Sequence, residues 1–511
     1  MSFLIGLDIG TTSVKAGIFD ASGRQVAAAA HDYRIDHPKP DWAEIDPEIY
    51  WQAAITTVRH ALSLGSVEPG QVAAIGVSSQ GETVIPVDAA GRALGRAVVW
   101  LDNRARAEAR HLAGQFRDRE VYERTGVPSI SPTWTACKLL WWRRHEPDLF
   151  AATYRFMLVE DFILQRLTGR FVTDRGVQST TLLYDIGRQG WWEPMLDAVG
   201  IGPERLSELV QPGAVVGELS AAAADALGLP RAVRVVVGGM DQGAGAVGVG
   251  NISPGMISES TGGALTLQAT IADPGLDPTR LTPVYVHSVP GQYIYCPVCP
   301  TGGMALTWFR DQFGAAEVEH AAGEGRNAFD LLTELAAGVQ PGAEGLTMLP
   351  HLMGAFSPEY EPEARGAFYG FTLHHGRPHF VRAVLEAVAF MLRRNIELLA
   401  GAGAHATEVR SHGGGARSAL WNQIKADVCG LTVLTLAGED AAVRGDAMIA
   451  GVAAGIYPDL QAASAAMVLL ADRYDPSPVN RPAYDAAYAR YVELFDALRP
   501  MYKQAPAGGR P

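Results

Sequence analysis

The sequence predicts an α/β protein of two domains, and three observations carry that expectation. The chain has 511 residues, enough, at roughly 100 to 200 residues per domain, for at least two cores. Short β-branched runs alternate along it with helical patterns. A strand, a Gly/Ser/Thr turn and a second strand occur at Asp8 to Phe19, and the same succession returns at Ser258 to Leu267.

The elements follow in order. Phe3 to Leu7 is an apolar run ending at Asp8; Gly10-Thr11-Thr12-Ser13 makes the turn and Val14 to Phe19 the returning strand. Asp46-Pro47 opens a helix through Tyr50, Ala53, Val58 and Leu62, with Asp46 as N-cap and Pro47 at its first position. Strands are expected at Val72 to Val77, Val84 to Val87 and Ala97 to Trp100, and helices at Lys138 to Trp142 and Asp161 to Leu167. The run Val233 to Val237 is a buried strand that ends in Gly238-Gly239-Met240-Asp241. A Gly-rich segment, Gly243 to Gly250, comes next, then a strand, turn and strand at Met256 to Leu267 bent at Ser260-Thr261-Gly262-Gly263. Two domains are expected, 1–247 and 248–511, with a fraying tail at Gln504 to Pro511.

Composition narrows the function. With 48% hydrophobic and 19% charged residues the chain is of the globular class. A net charge of −13 without a Lys/Arg stripe argues against a nucleic-acid partner. An anionic ligand remains compatible, because backbone N–H groups in glycine turns can hold phosphate. Met1 to Asp8 has no positive leader pattern, and no uncharged run is long enough to span a bilayer, so a cytoplasmic protein without a membrane partner is expected. Cys137, Cys296, Cys299 and Cys429 are too scattered for a disulfide framework.

Few residues carry chemistry. Asp8 at a strand end, followed by small hydroxyl residues, can offer N–H groups to phosphate and a carboxylate to magnesium through water; a plain tight turn competes with that reading. Thr261-Gly262 follows the same logic. Asp241, after two glycines at the end of a buried strand, can take the proton of an attacking hydroxyl, with a helix cap as the alternative. Gly243 to Gly248 spells G-x-G-x-x-G, but it runs into Gly250, Pro254 and Gly255 with no room for a crossover helix, against a dinucleotide site. His412-Gly413-Gly414-Gly415 feeds a helix and suits a nucleotide better than an esterase, for which no G-x-S-x-G is present. Cys296 and Cys299 read as structural thiols, and His374-His375 as solvated, without a third metal ligand. There is no P-loop.

Together these segments resemble the FGGY carbohydrate kinases, of the actin and hexokinase superfamily. Asp8 to Lys15 is similar to the first phosphate motif, Gly239 to Ala246 to the segment of the catalytic aspartate, Ser260 to Gly262 to the second phosphate motif and Gly413 to Ser418 to the adenosine motif. Lys138 to Trp142, and Gly366 to Gly370 with Arg382 to Glu386, resemble the two signatures. The resemblance implies two ribonuclease-H-like domains flanking a catalytic cleft, the first binding sugar and the second ATP. It implies Asp241 as general base, Asp8 at magnesium, and cofactor contacts from Gly10, Thr11, Thr12, Ser13, Lys15, Thr261, Gly262, Gly303, Gly414, Gly415 and Ser418. It implies sugar contacts from Gln80, Gly81, Glu82, Trp100, Asp102, Arg104 and Gln242. Gln80-Gly81-Glu82-Thr83 sits where xylulokinases carry Gln-Met-His-Gly and glycerol kinases Gln-Arg-Glu-Thr, and agrees fully with neither. The expected activity is ATP-dependent phosphorylation of a small sugar, a pentulose such as xylulose. A polyol kinase and a non-catalytic actin-like ATP-binding protein are the alternatives, and a homodimer is allowed.

Overall fold

The computed structural model describes residues 2–438 and 440–502; the tail from Gln504 lies outside them. The chain forms two compact units that are discontinuous in sequence. Among the described residues the first comprises 2–253, 270–294 and 440–469, and the second 254–269, 295–438 and 470–502.

The first unit is built on a six-stranded sheet. Phe3–Ile9 pairs antiparallel with Ser13–Asp20, which pairs antiparallel with Gln25–Asp32. On its other side Phe3–Ile9 runs parallel to Val72–Ser79, which runs parallel to Arg234–Met240. Alternation along these strands separates two apolar faces. Ile5, Leu7, Val77, Val235 and Val237 face the helices Pro47–Gly65 and Val159–Thr168 through Tyr50, Val58 and Phe162. Leu4, Ala74 and Val236 face the helix Ala441–Ala453 through Val443 and Ala447. Asp46 caps the first helix by accepting from the Glu48 N–H, with Pro47 following, as the sequence predicts.

The Gly243 to Gly248 run lies in the helix Asp241–Gly248; Asp241 is its first residue and Met240 its cap position. Its glycines serve close helix packing: a Cβ on Gly248 would lie 1.8 Å from the Ala441 carbonyl oxygen, and one on Gly445 would lie 1.9 Å from that of Ala244. The two backbones meet without side chains between them.

The second unit repeats the local plan. Met256–Thr261 pairs antiparallel with Leu265–Ile271 and parallel with Glu408–His412, which runs parallel to Thr432–Leu436; Leu470–Tyr474 closes the order antiparallel. The helices Arg377–Gly401 and Ala419–Cys429 pack beside it. Arg382 and Glu386 are buried there, joined at 2.8 Å, with Arg382 also donating to the Tyr484 hydroxyl and Glu386 accepting from the Gly342 N–H. That part of the second signature therefore holds the unit together.

Candidate active site

Register brings three strand ends of the first unit side by side. Asp8 lies opposite Ser78, and Ser78 opposite Gly239, two residues before Asp241. These are C-terminal ends of parallel strands, where the sheet presents polar groups to a ligand. Ser78 Oγ stands 3.1 Å from Asp8 Oδ1 and 2.8 Å from Oδ2 of the fully buried Asp446. Burial and the Asp8 charge push the Asp446 carboxyl well above the usual carboxylate range, so it can be the proton donor to Ser78 while Ser78 donates to Asp8.

Asp241 is the first residue of its helix, and Gln242 hydrogen-bonds its carboxyl through the backbone N–H, at 2.6 Å, and through the side chain. Withdrawal from water raises Asp241 to about 8, with the neighbouring Asp8 adding to the rise. Asp8 rises to about 6, chiefly by burial, against the lowering influence of Ser78 and Lys15. Glu82 also rises through burial, and Lys138 is lowered through burial while the two attract each other. Glu82 holds a left-handed backbone, φ 57°, fixed by Thr135 Oγ1 and Lys138 Nζ, which donate to its carbonyl at 3.0 and 3.2 Å. A non-glycine residue in that region is a local strain that surrounding contacts must maintain.

The first turn is braced from below. Tyr33 donates to the Gly10 carbonyl, Gln80 Nε2 does so at 3.1 Å, and the Gly10 N–H donates to the Ser13 carbonyl. Trp100 Nε1 donates to Thr11 Oγ1 at 2.9 Å, and Thr12 is exposed. Lys15 is paired with Asp440 at 2.9 Å. Gly81 fits closely against Thr180, whose Oγ1 would lie 2.7 Å from an added Cβ.

Three of the expected sugar contacts have protein partners of their own. Gln80 is buried, with its amide bonded to Gly10, Tyr50 and Thr83. Asp102 is fully buried, and its two oxygens accept from Ala43 and from Arg104. Arg104 also bonds Glu44 at 2.6 Å and lies over the Trp42 ring, 3.6 Å from its centroid. Buried polar groups need such partners, and these bonds hold the three side chains in place in the wall of the site.

In the second unit two glycine turns meet the bend at Thr261. The Gly303 N–H donates to the Gly262 carbonyl at 2.7 Å. Cβ atoms on Gly413 and Gly415 would approach Ser260 Oγ at 2.9 Å and Thr261 Cβ at 2.6 Å, and one on Gly414 would lie 3.9 Å from the Thr261 carbonyl oxygen. Ser418 caps the helix Ala419–Cys429, accepting from the Trp421 N–H. Residues that the sequence does not single out stand behind both sites: Ser78 and Asp446 in the first unit, Glu259 and Lys425 in the second. Lys425 and Glu259 are fully buried, 2.6 Å apart. No local pattern in the sequence marks them.

His374 does meet a third candidate ligand, contrary to expectation: nitrogens of His374 and His379 and a Glu344 oxygen lie within 4.8 Å of one another. However, His379 Nδ1 accepts from the Gly376 N–H at 3.0 Å, which leaves the proton of its neutral ring on Nε2, facing Glu344. That ring lacks the lone pair a metal would need at Nε2. Cys296 and Cys299 are buried and in no disulfide, and burial pushes the Cys299 thiol up to about 12, an unreactive state. Among the described residues no helix is long and apolar enough to cross a membrane.

Comparison with known proteins accords with this arrangement. Residues 3–248 match the N-terminal domain of the FGGY family of carbohydrate kinases and residues 265–454 its C-terminal domain. Xylulose kinase of Lactococcus lactis subsp. lactis (strain IL1403) is 30% identical over 511 residues, covering 98% of this chain and 97% of that kinase. Gluconokinase of Bacillus subtilis (strain 168) is 28% identical over 504 residues, covering 98% and 97%. The crystal structure of xylulose kinase from Rhodospirillum rubrum superposes with a TM-score of 0.90 at 29% identity, over 98% of this chain and 100% of that one. The chain is a sugar kinase and belongs to the FGGY family of carbohydrate kinases.

Proposed function

We propose that the chain phosphorylates a hydroxyl of a neutral sugar, a pentulose such as xylulose, with ATP as donor and Asp241 as general base. The observation that carries this reading is the Asp241 carboxyl, set two residues past the Asp8, Ser78 and Gly239 register and raised to about 8. A base of that strength is matched to a hydroxyl near neutral pH. Asp241 takes the hydroxyl proton as the oxygen bonds to the γ-phosphorus, and the bond from that phosphorus to the β-phosphate bridging oxygen breaks, releasing ADP.

The substrate class follows from charge. Asp8, Glu82 and Asp241 raise one another's affinity for protons or share a desolvated setting, which favours a ligand whose hydroxyls donate to carboxylates over one that brings a carboxylate of its own. Glu82 and Gln242 are the proposed sugar contacts, and Lys138 keeps Glu82 in place. Relatives that are xylulose kinases support the pentulose, and a relative that is a gluconokinase supplies the competitor.

Gly10 to Ser13 and Lys15 in the first unit, and Thr261, Gly262, Gly303, Gly414, Gly415 and Ser418 in the second, are the proposed nucleotide contacts. Hard carboxylate oxygens with raised proton affinity fit magnesium, and Asp8 would hold it through water. When bound, magnesium supplies charge neutralisation on the phosphate oxygens. An ADP-release assay over xylulose, other ketoses, glycerol and gluconate tests the reading. The highest kcat/KM is expected for xylulose, and a preference for gluconate would reject the neutral-sugar assignment.

A further inference from the structure

The second unit contains a fully buried ion pair with no part in the function described so far. Glu259 and Lys425 are 0% exposed in their side chains. Glu259 Oε1 accepts from Lys425 Nζ at 2.6 Å and from Ser411 Oγ, and Oε2 accepts from Thr261 Oγ1 at 2.7 Å. Lys425 Nζ also donates to Ser411 Oγ at 3.3 Å. Ser411 lies opposite Glu259 in the parallel pairing, and Lys425 sits in the helix that Ser418 caps. One carboxylate thus joins the strand leading into the Thr261 bend, the strand leading into the Gly413 to Ser418 turn and the helix that leaves that turn.

The direction of these bonds matters. A threonine hydroxyl has one proton, and Thr261 gives it to Glu259. Its side chain therefore points inward as an anchor, while Gly413 and Gly415 press so closely on Ser260 and Thr261 that no side chain fits between them. A buried ion pair is a costly way to gain stability, since desolvation opposes the attraction. Such a pair, closed off from water and oriented by three donors, is suited to fixing a geometry.

We infer that Glu259 and Lys425 are positioning residues for nucleotide binding: by claiming the Thr261 hydroxyl they lock the bend at Thr261 to Gly263 against the Gly413 to Ser418 turn, so that the nucleotide is met by backbone N–H groups and not by that hydroxyl. The inference rests on the proposed nucleotide contacts of this unit.

Two charge-free double variants test it in the full-length protein. E259M/K425M removes the ion pair and the acceptor of the Thr261 proton, whereas E259Q/K425M removes the charges but keeps an amide oxygen for it. ADP titrated calorimetrically at a temperature where each variant is folded is expected to bind about tenfold more weakly to E259M/K425M and within about threefold of the parent to E259Q/K425M. In turnover, E259M/K425M should raise KM for ATP while KM for the sugar stays unchanged. A folded E259M/K425M that binds ADP like the parent would overturn the positioning role. If that variant does not fold, Thr261→Val decides. Loss of both melting temperature and ADP affinity is expected, because Glu259 is left with an unpaired buried oxygen; loss of affinity with an unchanged melting temperature would mean that the hydroxyl serves the nucleotide directly, and overturns the inference. Hydrogen exchange of the unsubstituted protein with and without ADP checks the underlying reading. Protection is expected over 260–264 and 413–418, and its absence would reject the nucleotide assignment and the inference together. Protection there with unchanged affinity in E259M/K425M would reject the inference alone.

Discussion

The two units place a carboxylate beside a hairpin bend in the same local plan of strands, and they treat its charge in opposite ways. In the first unit Asp8 and Asp241 are withdrawn from water near one another, and both hold their protons far more tightly than an ordinary carboxyl. In the second, Glu259 is more deeply buried, yet Lys425, Ser411 and Thr261 keep it below the usual range. Burial alone raises a carboxyl; what separates the two is a cation in contact. An uncompensated carboxylate is reactive and a compensated one is a fastener. The first arrangement costs stability, and the proposed role of Asp241 as base gives a reason for keeping it.

The largest expected effect of breaking that contrast is on turnover. Asp241→Asn removes the base without changing the shape of the side chain, and kcat should fall by about 10²- to 10⁴-fold. The same substitution should raise the melting temperature, since it removes a desolvated carboxyl that must take up a proton or hold a charge beside Asp8. Steady-state assays and thermal melts on one preparation read both, and turnover within a few-fold of the parent would remove Asp241 from the role of base.

Lys425→Met alone makes the second unit resemble the first, leaving Glu259 buried and unpaired. Stability should drop by about 3 to 5 kcal/mol, measured by urea unfolding. A loss below about 1 kcal/mol would mean that Glu259 takes up a proton at little cost, and the difference between the units would be one of degree.

How much of this was legible beforehand depends on which interaction fixes each residue. Local rules were readable: Asp46-Pro47 as a helix start and the bends at Gly10 to Ser13 and Thr261 to Gly263, because capping and turn chemistry act within a few residues. Asp241 at a strand end was readable for the same reason. A helix after Asp241 was an alternative in the sequence, but its glycines are poor helix formers, and the close approach to the backbone of Ala441 and Gly445, some two hundred residues away, is visible only in the fold. Asp102 and Gln80 are expected at the sugar through the family resemblance, and the sequence says nothing of what holds them. Their partners, Ala43 and Arg104 for one and Gly10, Tyr50 and Thr83 for the other, exist only after folding. The Glu259–Lys425 pair is separated by 166 positions and had no pattern to reveal it.

An intermediate effect concerns substrate choice. Glu82→Gln keeps the shape of the side chain while removing one of the three carboxyl groups of the first unit's site. Its kcat/KM for xylulose should fall about tenfold or more, an interaction of about 1.4 kcal/mol or more. Activity on gluconate should fall less or rise, because a repulsive charge is gone. Equal losses on both substrates would show that Glu82 only shapes the wall.

The smallest effect is the dependence of stability on pH, and here the two units should differ in sign. Asp241 binds its proton more tightly folded, at about 8, than unfolded, at 3.8. Between those values the native state carries the extra proton, so its contribution to stability falls as pH rises through the window and levels off above about 8. Asp8 behaves likewise between 3.8 and about 6. Glu259, lowered from 4.5, contributes stability that is present above that value and is lost only as pH falls below it. The melting-temperature advantage of Asp241→Asn over the parent should therefore grow from pH 5 to pH 8.5, whereas the deficit of Lys425→Met should be undiminished over the range where Glu259 would be charged in the unfolded chain. An Asp241→Asn advantage that stays flat across that range would mean that Asp241 carries its charge in the folded protein at all these pH values, and the electrostatic contrast between the two hairpins would then rest on Asp8 alone.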